Sequence, residues 1–217
     1  MDSRDTNLAA MPADLAKRVK RDRLFLNNPV VMQGLGLAPL VVAATNLENA
    51  VILSVALFLL LTPTRVLAAA LTRFPLFRFR GLTYALCACV VWMGDWYVLN
   101  RLFTSADLAL LGIYLPLLVA DPIVLKRYER PQRERLKTAL RKGLITSLGY
   151  ILAMLVCAAV RELLGSGALM GHVLLPFSPL PIAQLPSGGF ILLALIIAVW
   201  RGVAGAVKAQ MRQGADV

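Results

Sequence analysis

An apolar stretch that contains a glycine and, three or four residues later, a proline occurs twice in this chain. The first copy carries Gly36 and Pro39, and the second carries Gly112 and Pro116. Proline inside a helix removes one backbone hydrogen bond and clashes with the preceding turn, at a cost of about 3 kcal/mol or more. In hydrocarbon no water can satisfy the freed carbonyl, so a broken helix persists only where protein or a wet cavity covers it. We therefore interpret the four residues as helix breaks in a membrane protein.

Corresponding breaks in the two halves of a chain are typical of transporters built from inverted repeats, with a site at the repeat interface. Six apolar segments predict six transmembrane helices, each close to the ~20 residues that a bilayer requires. They cover about residues 29–45, 50–71, 82–103, 108–125, 143–164 and 189–207. Because each half holds an odd number of spans, the second half must be upside down relative to the first. The alternative interpretation of the breaks is a pair of kinked, tightly packed helices with small residues at their contacts.

The predicted fold is therefore an all-α integral membrane protein with two inverted three-helix repeats, each opening with a broken helix. The membrane domain covers residues 29–209, between a basic tail at 1–28 and a short tail at 210–217. Composition agrees, because 59% of the residues are hydrophobic and only 16% are charged, against about 25% in soluble proteins. Nothing in the sequence suggests the short alternating strands of an outer-membrane barrel.

The formal net charge of +11 could suggest nucleic-acid binding, but the positions of the basic residues argue against it. They flank the apolar spans, where they set topology and meet anionic lipid headgroups. In the six-span arrangement, one side of the membrane carries the basic segments: the N-terminal tail, the loop Arg73–Arg80 and the connector Lys126–Lys142. On the opposite side, residues 165–188 contain no Lys or Arg. The positive-inside rule therefore places both termini in the cytoplasm. We expect anionic lipid, and no nucleic acid, as a partner.

Three carboxylates are candidates for an ion path, because a charge inside a membrane span is costly and is a functional hypothesis by default. Asp95 lies midway along the third span, Asp121 follows the second break, and Glu48 lies in the turn after the first. Such groups can serve as oxygen ligands for a cation or as proton carriers. The alternative is that Glu48 caps the second helix and that Asp121 lies at the cytoplasmic boundary.

Other polar residues have simpler explanations. Arg161 and Glu162 are adjacent and suggest an ion pair near the outer surface, while Arg201 can extend its charge towards an interface. The cysteines all fall inside apolar segments and are most simply packing residues; they are Cys87, Cys89 and Cys157. No Walker loop, Rossmann glycine pattern or HExxH is present. The chain alone is therefore not expected to catalyse a soluble reaction.

Four segments resemble the paired membrane subunits of the Rnf and Nqr complexes. Residues 28–50 resemble the first span of those subunits, and 111–119 their fourth. Residues 160–167 are similar to the end of their fifth span, and 185–190 to the start of their sixth. The match runs in the right order from Asn28 to about Val207, and the cytoplasmic N-terminus fits the RnfE or NqrD type.

The resemblance implies a subunit of a complex in the bacterial cytoplasmic (inner) membrane that couples electron transfer to Na⁺ or H⁺ translocation. Other Rnf/Nqr-type membrane subunits, above all the homologous partner subunit, are the implied partners. In that family each subunit of a facing pair supplies two cysteines, one per broken helix, and the four hold an iron–sulfur centre within the membrane.

The chain departs from that pattern, because Ala38 and Pro122 occupy the two cysteine positions. Neither side chain can ligate iron, so we expect no 2Fe–2S centre, and no other cofactor or metal, to be bound by this chain alone. Cys87 and Cys89 point about 200° apart on a helix and cannot hold one metal as a pair.

Three functions remain open. The chain is at most a non-catalytic or electron-path subunit of an ion-translocating oxidoreductase. It is alternatively a homologue without a redox centre that serves as a structural or assembly subunit. A third possibility is a small transporter that uses the inverted repeat for alternating access.

Overall fold

The computed structural model describes residue 19 and residues 22–71, 80–125 and 135–213. These parts of the chain are mostly helical, and four of their helices are long and apolar enough to cross a membrane. The α-helices, numbered α1 to α7, are Pro29–Gln33, Leu47–Leu71, Arg80–Leu102, Ser105–Leu111, Tyr114–Leu117, Leu136–Ser166 and Pro186–Gln213. A π-helix at Pro39–Ala43 and two 3-10 helices at Leu118–Ala120 and Pro181–Gln184 complete the helical elements.

The four long helices are α2, α3, α6 and α7, and they correspond to the predicted second, third, fifth and sixth spans. The largest difference is at α6, which begins at Leu136 rather than near Gly143, so part of the predicted basic connector is helical. Residues 126–134 lie outside the described parts of the chain. The helix ends at Gly167, whose φ of 71° allows its N–H to bond the carbonyl of Leu163.

The predicted first and fourth spans are each divided into short helical pieces. In the first, α1 ends at Gly34 and the π-helix begins at Pro39, with Gly34 and Gly36 both at φ 69°. In the fourth predicted span, α4 ends at Gly112, which has a φ of 48°. Helix α5 and the 3-10 helix at Leu118–Ala120 follow it. Glycine has no Cβ and adopts such left-handed angles without the usual steric cost.

Helices α2 and α6 make the most extensive contact between elements. Small and hydroxyl side chains bring them close: Thr62 and Ser147 lie 3.2 Å apart at their hydroxyl oxygens, and the Oγ of Ser54 donates to the Sδ of Met154 at 3.7 Å. Close approach through small residues is the usual basis of helix packing in membranes, where no hydrophobic force drives association. Helix α3 also packs against α2, and α7 packs against α1, the π-helix and the 3-10 helix at Pro181–Gln184.

The loop between α6 and α7 is more ordered than its glycine and proline content predicts. A two-stranded antiparallel hairpin pairs Ala168–Leu169 with His172–Val173. Met170 and Gly171 form its turn, both with positive φ, which matches the twist of the strands. The 3-10 helix then leads to Pro186, at which α7 begins.

Candidate functional site

The first helix break is closed by donors from the second half of the chain. The fully buried Tyr150 of α6 donates from its hydroxyl to the carbonyl of Gly36 at 2.7 Å. Gly36 has no room for a side chain, because a Cβ there would overlap the ring of Tyr150. The phenol therefore satisfies a backbone acceptor that the break removes from regular helical bonding.

Arg161 of α6 binds the far end of the same break. Its guanidinium is 3% exposed and donates to the carbonyls of Val41 and, at 3.4 Å, Ala44. It also donates to the carbonyls of Ala183 at 2.6 Å and Gln184 at 3.0 Å. One cation thus joins the π-helix of the first break to the short helix that precedes α7.

Glu162 has a different partner from its neighbour. Its carboxylate accepts the backbone N–H of Leu47 at 2.7 Å, at the first residue of α2. A carboxylate is favourable there because the first N–H groups of a helix have no intrahelical acceptor and the helix dipole is positive. The expected ion pair between Arg161 and Glu162 is thus replaced by two separate contacts with the first half of the chain.

Helix α7 supplies the remaining donors to the region of the first break. Arg201 donates to the carbonyls of Val31 at 2.8 Å and Met32 at 3.2 Å, so its charge is used in a hydrogen bond to the backbone. The indole of Trp200 donates to the carbonyl of Phe25 at 3.1 Å, and the two rings stack. That carbonyl stands four residues before Pro29, which has no N–H to offer it.

The second break lies on the surface of the described structure. Gly112 and Pro116 are exposed, and the side chain of Ile113 is 73% exposed. Helix α4 ends in a bond from the N–H of Gly112 to the carbonyl of Leu108 at 3.1 Å. The carbonyl of Gly112 stands four residues before Pro116 and so has no helical donor. The two breaks therefore differ: the first is enclosed by arginine and tyrosine, and the second is open.

The three candidate carboxylates occupy different surroundings. Asp95 on α3 is 4% exposed, and neither of its oxygens has a hydrogen-bond partner in the described parts of the chain. Asp121 is buried directly after the second break, where its Oδ1 accepts the N–H of Ile123 at 2.8 Å. Glu48 is exposed in the first turn of α2. Of the three, Asp95 alone is both enclosed and unsatisfied, and a bare charge is costly in such a place.

The positions at which the family resemblance implies iron ligands do not offer them. Ala38 precedes the π-helix of the first break, and Pro122 follows Asp121 after the second; both are exposed. Neither side chain has a donor atom for iron. Among the described residues no group of three or more His, Cys, Asp and Glu side chains could hold a metal ion. Ala38 and Pro122 themselves thus do not fit the half-site that the resemblance implies, because an iron–sulfur centre requires thiolates.

Sequence reasoning identified the breaks but not the side chains that close the first of them. Tyr150 has a signal that could have been used, because a phenol inside an apolar span needs a hydrogen-bond partner. Asn28 is similar: its amide donates to the carbonyl of Gly149 at 2.6 Å, and its oxygen accepts the N–H of Val30 at 2.9 Å. Nothing local in the sequence indicates which carbonyls these groups reach.

Comparison with known proteins finds a matching family described as "Rnf-Nqr subunit, membrane protein", over residues 17–197. The chain is 31% identical to the E component of the ion-translocating oxidoreductase complex of Pseudomonas paraeruginosa (strain DSM 24068 / PA7), covering 93% of this chain and 91% of that protein. It is 33% identical to the corresponding E component from Shewanella frigidimarina (strain NCIMB 400), covering 86% and 87% respectively.

Proposed function

The chain belongs to the Rnf-Nqr family of membrane subunits, and on that basis we propose that it is the E-type component of an ion-translocating oxidoreductase complex. The family match over residues 17–197 carries the proposal, because it includes both helix breaks and reaches all four long helices. In this role the chain is part of the membrane machinery that couples electron transport to the movement of Na⁺ or H⁺ across the bacterial inner membrane.

The proposed topology has six crossings in two inverted repeats. Helices α2, α3, α6 and α7 supply four of them. The two divided segments, α1 with the π-helix and α4 with α5, supply the other two as interrupted crossings. The basic connections Arg73–Arg80 and Lys126–Lys142 support a cytoplasmic location for both termini.

We assign the ion path to Asp95. A group that receives a cation or a proton within the membrane and releases it again must be enclosed and must lack a permanent cationic partner. The burial of Asp95 and its two unsatisfied oxygens support this assignment. Asp121 is the second candidate, because it is also buried and directly follows the second break. Glu48 is exposed at a helix N-terminus, where a stabilising interaction with the helix dipole explains it.

We assign the open second break to the homologous partner subunit. Lipid cannot hydrogen-bond a free carbonyl, so irregular backbone at membrane depth must be covered by protein or line a wet cavity. The exposed Gly112, Ile113 and Pro116 support this assignment. The first break needs no such cover, since Tyr150, Arg161 and Arg201 already bind its carbonyls.

The proposed contribution of this chain is an ion path and a scaffold, without iron ligands of its own. The family's thiolates would supply one-electron transfer within the membrane, but Ala38 and Pro122 leave this chain without them. That departure also favours the second candidate function, a structural or assembly subunit in the same complex. Asp95 distinguishes the two, because a purely structural subunit does not need a buried, unsatisfied carboxylate.

The test measures electron-driven uptake of Na⁺ and of protons in membrane vesicles that contain the complex. Asp95→Asn is expected to lower uptake at least tenfold, while the complex still co-purifies through a tag on this chain. Asp107→Asn, which changes a carboxylate near the start of α4, is the charge-matched control and should leave uptake unchanged.

Each other outcome has a definite meaning. Normal uptake with Asp95→Asn contradicts the ion path and leaves the structural role. Purification of the chain without any other subunit contradicts membership of a complex. Ion flux through the purified chain in proteoliposomes, with no electron donor, would indicate the small transporter instead.

A further inference from the structure

The segment that joins α6 to α7, residues 167–185, has an unusual composition for a connection between two membrane helices. It contains no Lys, Arg, Asp or Glu, and its polar side chains are limited to those of His172, Ser178 and Gln184. Charged side chains normally occupy surfaces that face water. Their absence from the whole segment indicates that its outer surface does not face bulk water.

Large apolar side chains form much of that outer surface. In the hairpin, Val173 is 75% exposed, and Phe177 in the following turn is 64% exposed. The other exposed large apolar residues of the segment are Met170, Leu174, Leu180, Ile182 and Leu185. Single exposed apolar residues are normal on a protein surface, but so many in one short uncharged segment indicate an interaction surface.

The backbone of the segment is bound to the end of α6. The N–H of Leu174 donates to the carbonyl of Gly167 at 2.9 Å. The N–H of Leu180 donates to the carbonyl of Leu164 at 2.7 Å. The guanidinium of Arg161 binds the carbonyls of the last residues of the segment. The protein thus satisfies these backbone groups itself, as it must where water is scarce, and the segment offers its apolar side chains to the surroundings.

The segment also begins and ends at the boundary of the membrane. Both α6 and α7 are long and apolar enough to cross a bilayer, and most of the apolar part of α7 is not buried by the protein. Leu163 and Leu164 lie in the last turn of α6, and the exposed Phe190 and Ile191 lie near the start of α7. Along the chain, the exposed apolar surface of the segment therefore continues into the lipid-facing surface of α7.

We propose that residues 167–185 lie in the boundary between lipid headgroups and acyl chains, with their exposed apolar side chains inserted into the lipid. Interfacial segments of proteins typically enter this boundary by about 5–10 Å. The insertion fixes the depth at which the connected ends of α6 and α7 sit in the membrane. The proposal goes beyond the role in ion translocation, because it uses none of the residues of the proposed ion path.

The composition favours lipid over a second protein as the occupant of this surface. Protein–protein interfaces have a polar rim and are enriched in Tyr, Trp and Arg, and residues 167–185 contain none of these three. The segment also lacks the basic residues that attract anionic headgroups. Its insertion should therefore depend neither on the charge of the lipid nor on salt.

The test measures the depth of nitroxide spin labels by electron paramagnetic resonance in proteoliposomes that contain the full-length chain. Labels are attached to Val173→Cys or Phe177→Cys, after the native cysteines have been replaced by Ala. Collisions with oxygen, which concentrates in lipid, are compared with collisions with a water-soluble nickel chelate. The ratio of the two should be at least fivefold higher at both positions than at Gln213→Cys, an exposed position at the end of α7. It should be lower than at Val199→Cys, in the lipid-facing middle of α7.

The composition of the vesicles provides the second expectation. The ratios at Val173 and Phe177 should be equal in phosphatidylcholine and in its mixture with phosphatidylglycerol, at low and at high salt. Ratios equal to that of Gln213, or ratios that rise with anionic lipid, would overturn the proposal. So would labels that become shielded from both reagents when the other subunits of the complex are present, because a protein would then cover the surface.

A measurement on the unaltered chain does not depend on a variant that folds. Two phospholipids are compared, one with a photoreactive group next to the glycerol and one with the group at the end of an acyl chain. The first should form at least fivefold more adducts than the second within residues 170–185, and the order should be reversed within residues 191–199. Equal labelling of residues 170–185 by the two lipids, or no labelling of them by either, would overturn the proposal.

Discussion

The hydroxyl of Tyr150 donates a hydrogen bond of 2.7 Å to the carbonyl of Gly36, across 114 residues of sequence. This contact joins the middle of α6 to the point at which the first membrane segment is interrupted. It shows how a break in the first half of the chain is stabilised by a residue of the second half. The phenol ring also fills the space beside Gly36, so the two residues depend on each other in shape as well as in hydrogen bonding.

Removing the hydroxyl should destabilise the protein without altering its shape. Tyr150→Phe leaves the buried carbonyl of Gly36 unsatisfied, which costs about 1–3 kcal/mol. We expect a lower midpoint of thermal unfolding in detergent. Tyr97→Phe is the matched control, because its hydroxyl accepts an exposed hydrogen bond from Arg101. Equal midpoints for the two variants would mean that the Tyr150 bond contributes nothing measurable.

A methyl group at the first break should be far more harmful than one at the second. Both Gly36 and Gly112 have positive φ, so alanine at either position costs about 1–2 kcal/mol in backbone strain. Gly36→Ala also collides with the ring of Tyr150, whereas the nearest atom to a Cβ at Gly112 is 3.6 Å away. Overpacking of this kind typically adds about 1–3 kcal/mol.

The comparison of these two alanine variants is made on the yield of folded protein and on the unfolding midpoint. Gly112→Ala should lose only the contribution of backbone strain, and Gly36→Ala should fall well below Gly112→Ala. If Gly112→Ala is the more harmful of the two, the second break is more tightly enclosed than the structure indicates.

Arg161 should not tolerate replacement by lysine. Lysine keeps the charge but lacks the planar set of donors that reaches the carbonyls of Val41, Ala183 and Gln184 together. Each buried carbonyl that is left without a donor costs about 1–3 kcal/mol, so the loss of two or more of these bonds should lower the amount of folded protein. Arg101→Lys, at an exposed position on α3, should be neutral. Normal expression of Arg161→Lys would show that one or two of its bonds suffice.

The departure at Ala38 and Pro122 makes a prediction about iron. The purified chain, alone or with a partner-type subunit, should show no stoichiometric two-iron cluster to which it contributes its own half-site, because neither residue is a ligand. Electron paramagnetic resonance of the reduced sample, with iron and sulfide quantified, makes the measurement. A cluster that is lost on replacing Cys157 by Ser would contradict the prediction and restore an electron-carrying role.

A further pair of variants tests whether restored thiols increase the amount of bound iron. Ala38→Cys together with Pro122→Cys returns thiols to both positions and should raise the iron content when the partner subunit is present. Ala38→Ser together with Pro122→Ser is the control, since a hydroxyl is a poor ligand for such a centre.

Local signals in the sequence were enough for the long helices and for the places where the chain is interrupted. Apolar runs of about 20 residues predicted α2, α3, α6 and α7, and the Gly-Pro pairs predicted the divided segments. The partners of Arg161 could not be predicted in this way, because Val41 lies 120 residues away and a carbonyl has no sequence signature. The hairpin at Ala168–Val173 was missed because two-residue strands are too short to show a period.

Asp95 could be selected from its place in the third span, because a carboxylate in an apolar run is conspicuous. The absence of hydrogen-bond partners for Asp95 could not be predicted from the sequence, because it depends on which face of α3 packs against α2.

The enclosure of the first break has a consequence for the order in which the protein is made. Its donors Tyr150, Arg161 and Arg201 follow their carbonyl partners by 114, 120 and 170 residues. At ~5–20 residues per second, the interval between synthesis of Val31 and of Arg201 is on the order of 10 s. The first of these donors, Tyr150, is made 114 residues after Gly36, and until then none of the three carbonyls has its long-range donor. The first segment therefore completes its hydrogen bonds only after the last helix, which carries Arg201, has been made.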